Sequence, residues 1–194
     1  FFSAIASNNI TKKSIHNDIR SETNFDHFFI DFNSIVYIVY EKVLEDINQC
    51  MYICLAKLNK QQKILTNDIS DTLDYYKIDD YSELNELENF EDINNFFKSI
   101  FNEQKMDQIM LTEVIKKFIK ITKTFCSPQL KTLFIALDGI PSKGKLIEQR
   151  QRGIMGSLAG EYSKIIMEDY KDYIQKLGQH YWLWLNNKIK WSRT

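Results

Sequence analysis

Residues 133–152 read Leu-Phe-Ile-Ala-Leu-Asp-Gly-Ile-Pro-Ser-Lys-Gly-Lys-Leu-Ile-Glu-Gln-Arg-Gln-Arg. That order puts a carboxylate, Asp138, at the end of an apolar run and a row of phosphate-binding donors just after it. Lys145, Gln149 and Arg152 are spaced i, i+4, i+7, so on a helix they fall within about 60° of one another. One helix face would then present an ammonium, an amide and a guanidinium together. Residues 133–137 have the unbroken apolar character of a strand buried in a parallel sheet. Ligands of open α/β sheets collect beyond the carboxyl ends of such strands, which is the position of Asp138. A second acid, Asp31, closes the apolar run Phe28-Phe29-Ile30 and precedes a long apolar-periodic stretch. Carboxylates at neighbouring strand ends suit hard divalent cations such as Mg²⁺ or Mn²⁺, and two-metal hydrolysis of phosphodiesters needs a cluster of them. Two acids are too few for a full site, so further carboxylates are expected. The structural alternative for Asp31 is a helix N-cap.

The elements that must position these groups follow from periodicity. Residues 34–58 read as one long helix with Ile35, Val39, Val43, Ile47 and Ile53 on or near one side. Residues 110–125 read as a basic amphipathic helix with Val114, Ile115, Phe118 and Ile121 inward, feeding the strand at Leu133 as a crossover unit. Ser142 is placed to N-cap a helix running from 143 to about 177, in which Gly153, Gly156 and Gly160 each cost about 1 kcal/mol. A break is expected near Gly153. Around that helix, Lys143 is solvated or a secondary phosphate contact, Glu148 is placed to steer Lys145 or Arg152, and Arg150 lies about 140° from Lys145, on another wall or in a salt bridge. Residues 3–8 read as an opening helix and 9–24 as a polar link.

Between 66 and 107 the chain carries twelve acids against three bases, a charge that repels a phosphate backbone. Its aromatics, among them Tyr75, Tyr76, Tyr81, Phe90, Phe96 and Phe97, predict that it packs, and it is a candidate dock for a protein partner. The aromatic tail Tyr181-Trp182-Leu183-Trp184 with Trp191 reads as core in preference to a stacking platform for single-stranded nucleic acid.

Composition allows one ordinary domain with a sizeable core: 194 residues, 44% apolar, 26% charged, net charge −1. Apolar runs are far shorter than the roughly 20 residues a bilayer requires, so no membrane is expected; a cytoplasmic or nuclear chain is. Cys50, Cys54 and Cys126 are odd in number and read as reduced buried thiols. His16, His27 and His180 form no ligand spacing. Scarce Arg beside Lys, with abundant Ile and Asn, points to an AT-rich genome such as that of a large DNA virus or a protist.

On these residues the chain resembles the amino-terminal part of the Xrn-type 5′-to-3′ exoribonucleases, within the FEN-like and PIN-like nuclease group. Phe1-Phe2-Ser3-Ala4-Ile5 is similar to the family's opening helix, Phe29-Ile30-Asp31-Phe32-Asn33-Ser34-Ile35 to its first metal-binding strand, and Ala136-Leu137-Asp138-Gly139-Ile140-Pro141 through Arg152 to its Asp-Gly-Val-Ala-Pro and Gln-Gln-Arg-x-Arg-Arg signature. The resemblance implies that Asp31 and Asp138 are catalytic metal ligands for Mg²⁺ or Mn²⁺, and that Lys145, Gln149 and Arg152 grip the 5′-monophosphate of single-stranded RNA. It makes Asn33, Tyr37, Lys143 and Arg150 candidate nucleic-acid contacts.

Two positions depart from the pattern. The second Arg of the family's pair falls on Gly153, and its base-stacking His falls on Tyr37. The family's Pro-Gly-Glu-Gly-Glu block and later Ser-Asp-x-Asp strand have no counterpart before Thr194. The expectation is therefore the amino-terminal portion of a longer exoribonuclease, without a complete metal site of its own. The fold expected is α/β: an incomplete parallel-sheet PIN/FEN-like core formed by 1–58 and 109–194, with a mostly helical acidic insertion at 59–108. The alternatives are a catalytically inactive nuclease-fold module that binds RNA or protein, and a FEN-like structure-specific DNA nuclease.

Overall fold

The computed structural model describes residues 26–126, 128–137 and 143–190. The expected opening helix, Asp138, the Ser142 cap and Trp191 lie outside them. The apolar run before Asp31 forms strand β1 (His27–Asp31), and the run before Asp138 forms β2 (Thr132–Ala136). They pair in parallel, with Phe29 opposite Phe134 and Asp31 opposite Ala136. A parallel pair needs a long crossover, and the chain between the strands supplies it. Helix α1 (Phe32–Asn59) leaves β1 at once, short helix α2 (Ser70–Tyr75) and helix α3 (Phe90–Ile100) follow, and α4 (Glu103–Phe125) returns to β2. Beyond β2 come α5 (Lys143–Asp169), α6 (Lys171–Leu177) and α7 (Gln179–Asn187).

The core lies in the crossover and not under the sheet. Val43, Ile47, Met51 and Leu55 form a fully buried stripe on α1 at helical spacing. Leu73, Leu84, Ile93 and Phe97 come down on it from the acidic stretch, all at 0% exposure. The acids of that stretch therefore line an outer surface while its apolar residues close the core. Cys50 and Cys54 are free and buried on the same face; burial pushes the Cys54 thiol up to about 12, which keeps it protonated and inert.

Three expectations are corrected. Strand β2 is exposed along its whole length, because among the described residues β1 is its only strand neighbour and no layer covers Phe29 (69% exposed) and Phe134, which pair on the outer face. Ile115 is exposed: α4 meets α1 through Met106, Ile109, Met110 and Val114, and the next residue is turned about 100° away. Helix α5 also runs unbroken through Gly153, Gly156 and Gly160 and ends at Asp169. Glycine weakens a helix by propensity but keeps its N–H, so no hydrogen bond is lost there.

The aromatic tail packs, as read from sequence. Helix α7 lies on α1, where Trp184 meets Tyr52 edge-on at 5.3 Å and its Nε1 donates to the Asn48 carbonyl at 2.8 Å. The Asn48 side chain clamps the chain beyond α7: its Nδ2 donates to the Ile189 carbonyl at 3.1 Å, and its Oδ1 accepts from the Ile189 N–H at 2.7 Å. Gly178, between α6 and α7, takes φ +149°, a conformation that favours glycine, and a Cβ there would stand 2.4 Å from His180 Cε1. None of the described helices is long and apolar enough to cross a membrane.

Asn48→Ala leaves both buried Ile189 groups unpaired, so urea denaturation should show a loss of about 1–3 kcal/mol. An unchanged midpoint would mean that the clamp is dispensable.

Candidate strand-end site

Asp31 is at once the last residue of β1 and the N-cap of α1. Its Oδ1 accepts from the Asn33 N–H at 3.2 Å, and its Oδ2 accepts from the Ser34 hydroxyl at 2.7 Å. These bonds fix the rotamer of a carboxylate that is otherwise open to solvent. The Ser34 hydroxyl bond chiefly holds the Asp31 carboxyl below its ordinary 3.8, and the Lys145 ammonium adds a smaller pull in the same direction. The capping alternative is thus realised. It leaves lone pairs on both oxygens, since an ionised carboxylate has about four acceptor sites.

The parallel register aligns the carboxyl ends of the two strands. The chain leaving β2 runs on to Leu137, and the described residues resume at α5, whose second turn carries Gln149. Lys145, Gln149 and Arg152 are all exposed. Arg152 Nη2 pairs with Glu148 Oε1 at 3.3 Å, the steering contact expected of Glu148. Arg150 is exposed and makes no ion pair among the described residues. Lys143 opens α5. Tyr37 is 67% exposed, with its ring free to take a stacking partner, while Asn33 is half-buried.

The structure therefore brings Asp31, Asn33 and Lys145 to one end of the sheet, with Gln149 and Arg152 following along α5. Sequence reasoning missed the part played by Ser34, although an acid followed three residues later by a hydroxyl is a recognisable N-terminal spacing. On the side of α5 opposite the donors, Ile147, Ile154, Leu158 and Ile165 form an exposed apolar stripe.

An exposed, hydrogen-bonded carboxylate is a suitable oxygen ligand for a hard divalent ion. Among the described residues no group of three or more His, Cys, Asp or Glu side chains could hold a metal, so Asp31 fits as one ligand of a site to which other residues must contribute.

These features define an α/β unit with a two-stranded parallel sheet and a carboxylate and a basic helix at its carboxyl edge. The chain is 34% identical over 154 residues to "Uncharacterized protein R527" of Acanthamoeba polyphaga mimivirus, an alignment spanning 78% of this chain and 97% of that protein. It belongs to the same family as that viral protein. No family model and no solved structure matches it.

A group whose folded pKa is depressed stabilises above its unfolded value and loses that contribution as pH falls through the folded one. Asp31→Ala should therefore be less stable than the parent at pH 7, with the gap closing as pH drops below 3.8. Thermal melts between pH 7 and pH 2 check this; a gap independent of pH would mean that the carboxylate charge is not what caps α1.

Proposed function

We propose that the chain contributes to metal-dependent 5′-to-3′ hydrolysis of RNA and selects RNA by its 5′-monophosphate. The observation that carries this reading is the parallel pairing of β1 with β2. It sets Asp31 opposite Ala136 at the end of β2, two positions before Asp138 in the sequence, and the Lys145 charge reaches Asp31. A carboxylate and the start of a donor-bearing helix at one sheet edge support the reading that the resemblance to Xrn-type enzymes suggests.

In this reading Asp31 and Asp138 would hold Mg²⁺ or Mn²⁺, which would supply an activated water and charge stabilisation at the leaving oxygen. Lys145 supplies a point charge to the terminal phosphate, Gln149 an N–H donor, and Arg152 a planar fork suited to two phosphate oxygens. Glu148 holds the Arg152 guanidinium until phosphate displaces it. Tyr37 would stack on a base near the end of the strand. A triphosphate or a cap would overfill the donor face, which turns end recognition into substrate selection.

A second reading, a non-catalytic nuclease-fold module that binds RNA ends, is favoured by Gly153 where the family places a phosphate-binding Arg. Nothing lies within 4 Å of a Cβ built on Gly153, so an arginine fits there.

The test combines degradation and binding, using matched RNAs that carry a 5′-monophosphate, 5′-triphosphate or 5′-hydroxyl, a DNA of the same sequence, and Mg²⁺ or chelator. Mg²⁺-dependent, monophosphate-selective loss of RNA supports the nuclease. Monophosphate-selective binding without hydrolysis supports the module, and preference for DNA supports the FEN-like alternative. Arg152→Ala should weaken binding of monophosphorylated RNA by roughly tenfold, and Gly153→Arg should tighten it by about as much. Equal binding of 5′-hydroxyl and 5′-monophosphate RNA overturns the donor face.

A further inference from the structure

Away from the strand ends, helices α1, α2 and α4 enclose an open groove of about 620 Å³, a size that suits one small organic ligand. Its floor, from Ile38 to Asp46, lies roughly 10–22 Å along α1 from Asp31 at 1.5 Å per residue. Four lysines line it: Lys42 from α1, and Lys116, Lys117 and Lys120 from α4. Two are already paired within the groove. Lys42 bonds Asp46 at 2.6 Å and Lys116 bonds Glu113 at 2.6 Å. The same two acids also accept from tyrosines, Asp46 from Tyr76 Oη at 2.8 Å and Glu113 from Tyr75 Oη at 2.7 Å.

These contacts make a rigid wall and leave three charges over. Lys117 and Lys120 are unpaired among the described residues, opposed only by Asp71 on the far wall. Tyr75 also lines the groove, 54% exposed, its hydroxyl anchored by Glu113 and its ring under the Lys116 ammonium at 4.6 Å. Ile38, 55% exposed, offers an apolar surface from α1. An aromatic ring held in place, an apolar surface and two unpaired ammonium groups in one groove match a ligand that joins a flat apolar body to an anion.

We propose that this groove binds a nucleotide, with the base against Tyr75 and Ile38 and the phosphate on Lys117 and Lys120. The proposal does not depend on the strand-end reading. The floor suits a planar base better than an acidic peptide, which would bring charge without a ring to cover Tyr75 and would meet Asp46, Asp71 and Glu113.

Calorimetric titration of the chain with AMP, adenosine, inorganic phosphate, a penta-glutamate peptide and a deca-adenylate tests it. AMP should bind, with adenosine and phosphate each at least about tenfold weaker, because each carries half of the recognition. Lys117→Glu/Lys120→Glu should weaken AMP by about tenfold or more, Tyr75→Leu by roughly fivefold or more, and Tyr75→Phe, which keeps the ring, by no more than about twofold. Circular dichroism checks that each variant folds. Tighter binding of the deca-adenylate assigns the groove to one nucleotide of a strand, and equal binding to a free nucleotide; both support the proposal. No binding of AMP or deca-adenylate, penta-glutamate binding as well as AMP, or unchanged affinity in the folded double lysine variant overturns it.

Discussion

Parallel pairing of β1 with β2 is the constraint from which the rest of the architecture follows. Two parallel strands cannot be joined by a tight turn, so residues 32–131 must travel the length of the sheet and come back. Helix α1 makes the outward journey and α4 the return, and the chain between them closes a core against α1. Burying a large apolar side chain contributes about 1.5–3 kcal/mol, and the fully buried large residues lie on α1, on the stretch from Leu73 to Phe97 and at Met106. The stability that keeps the strand ends aligned is thus generated away from the sheet itself. Register then does the rest: with Asp31 opposite Ala136, the chains that leave both strands emerge at one edge.

What gathers at that edge is held by local bonds. Asp31 is fixed by the Asn33 N–H and the Ser34 hydroxyl, and Arg152 by Glu148. The exposed Arg152–Glu148 pair contributes little to stability, so its effect is orientation, whereas the Asp31 bonds also cap α1. Helix α5 stands on its own hydrogen bonds, meets α6 at its end, and shows solvent both its donor face and its apolar stripe. Its three interior glycines, with open space around each, make it weaker than an alanine helix of equal length.

Much of this was legible in the sequence, and the failures have identifiable causes. The two strands, the end of β1 at Asp31, the long helix α1, the buried Cys50 and Cys54, the packed aromatic tail and the Glu148 contact follow from period, spacing and side-chain chemistry, while Cys126, expected buried, is half-buried. Exposure of β2 does not: the apolar run 133–137 carries the pattern of a buried strand, and only the number of neighbouring elements reveals that, among the described residues, no layer covers it. The continuity of α5 through Gly153 was misread because glycine lowers helix propensity without removing a hydrogen bond. Asn48 left a faint signal, a lone amide between buried apolar positions on α1, but its partner Ile189 is 141 positions away. The nucleotide groove was out of reach for the same reason. Lys116 and Lys120 share a helix face by spacing, yet Tyr75 and Lys42 join them only through tertiary packing.

In the proposed function the aligned strand ends form one site for a divalent ion beside a phosphate-binding helix. Titration with Mn²⁺, followed by paramagnetic broadening of backbone amide signals, tests it directly. Broadening should start at residues 31–34 and 137, spread to the first turn of α5, and disappear in Asp31→Ala. Broadening confined to the acidic stretch between 66 and 107, or unchanged by Asp31→Ala, would contradict it.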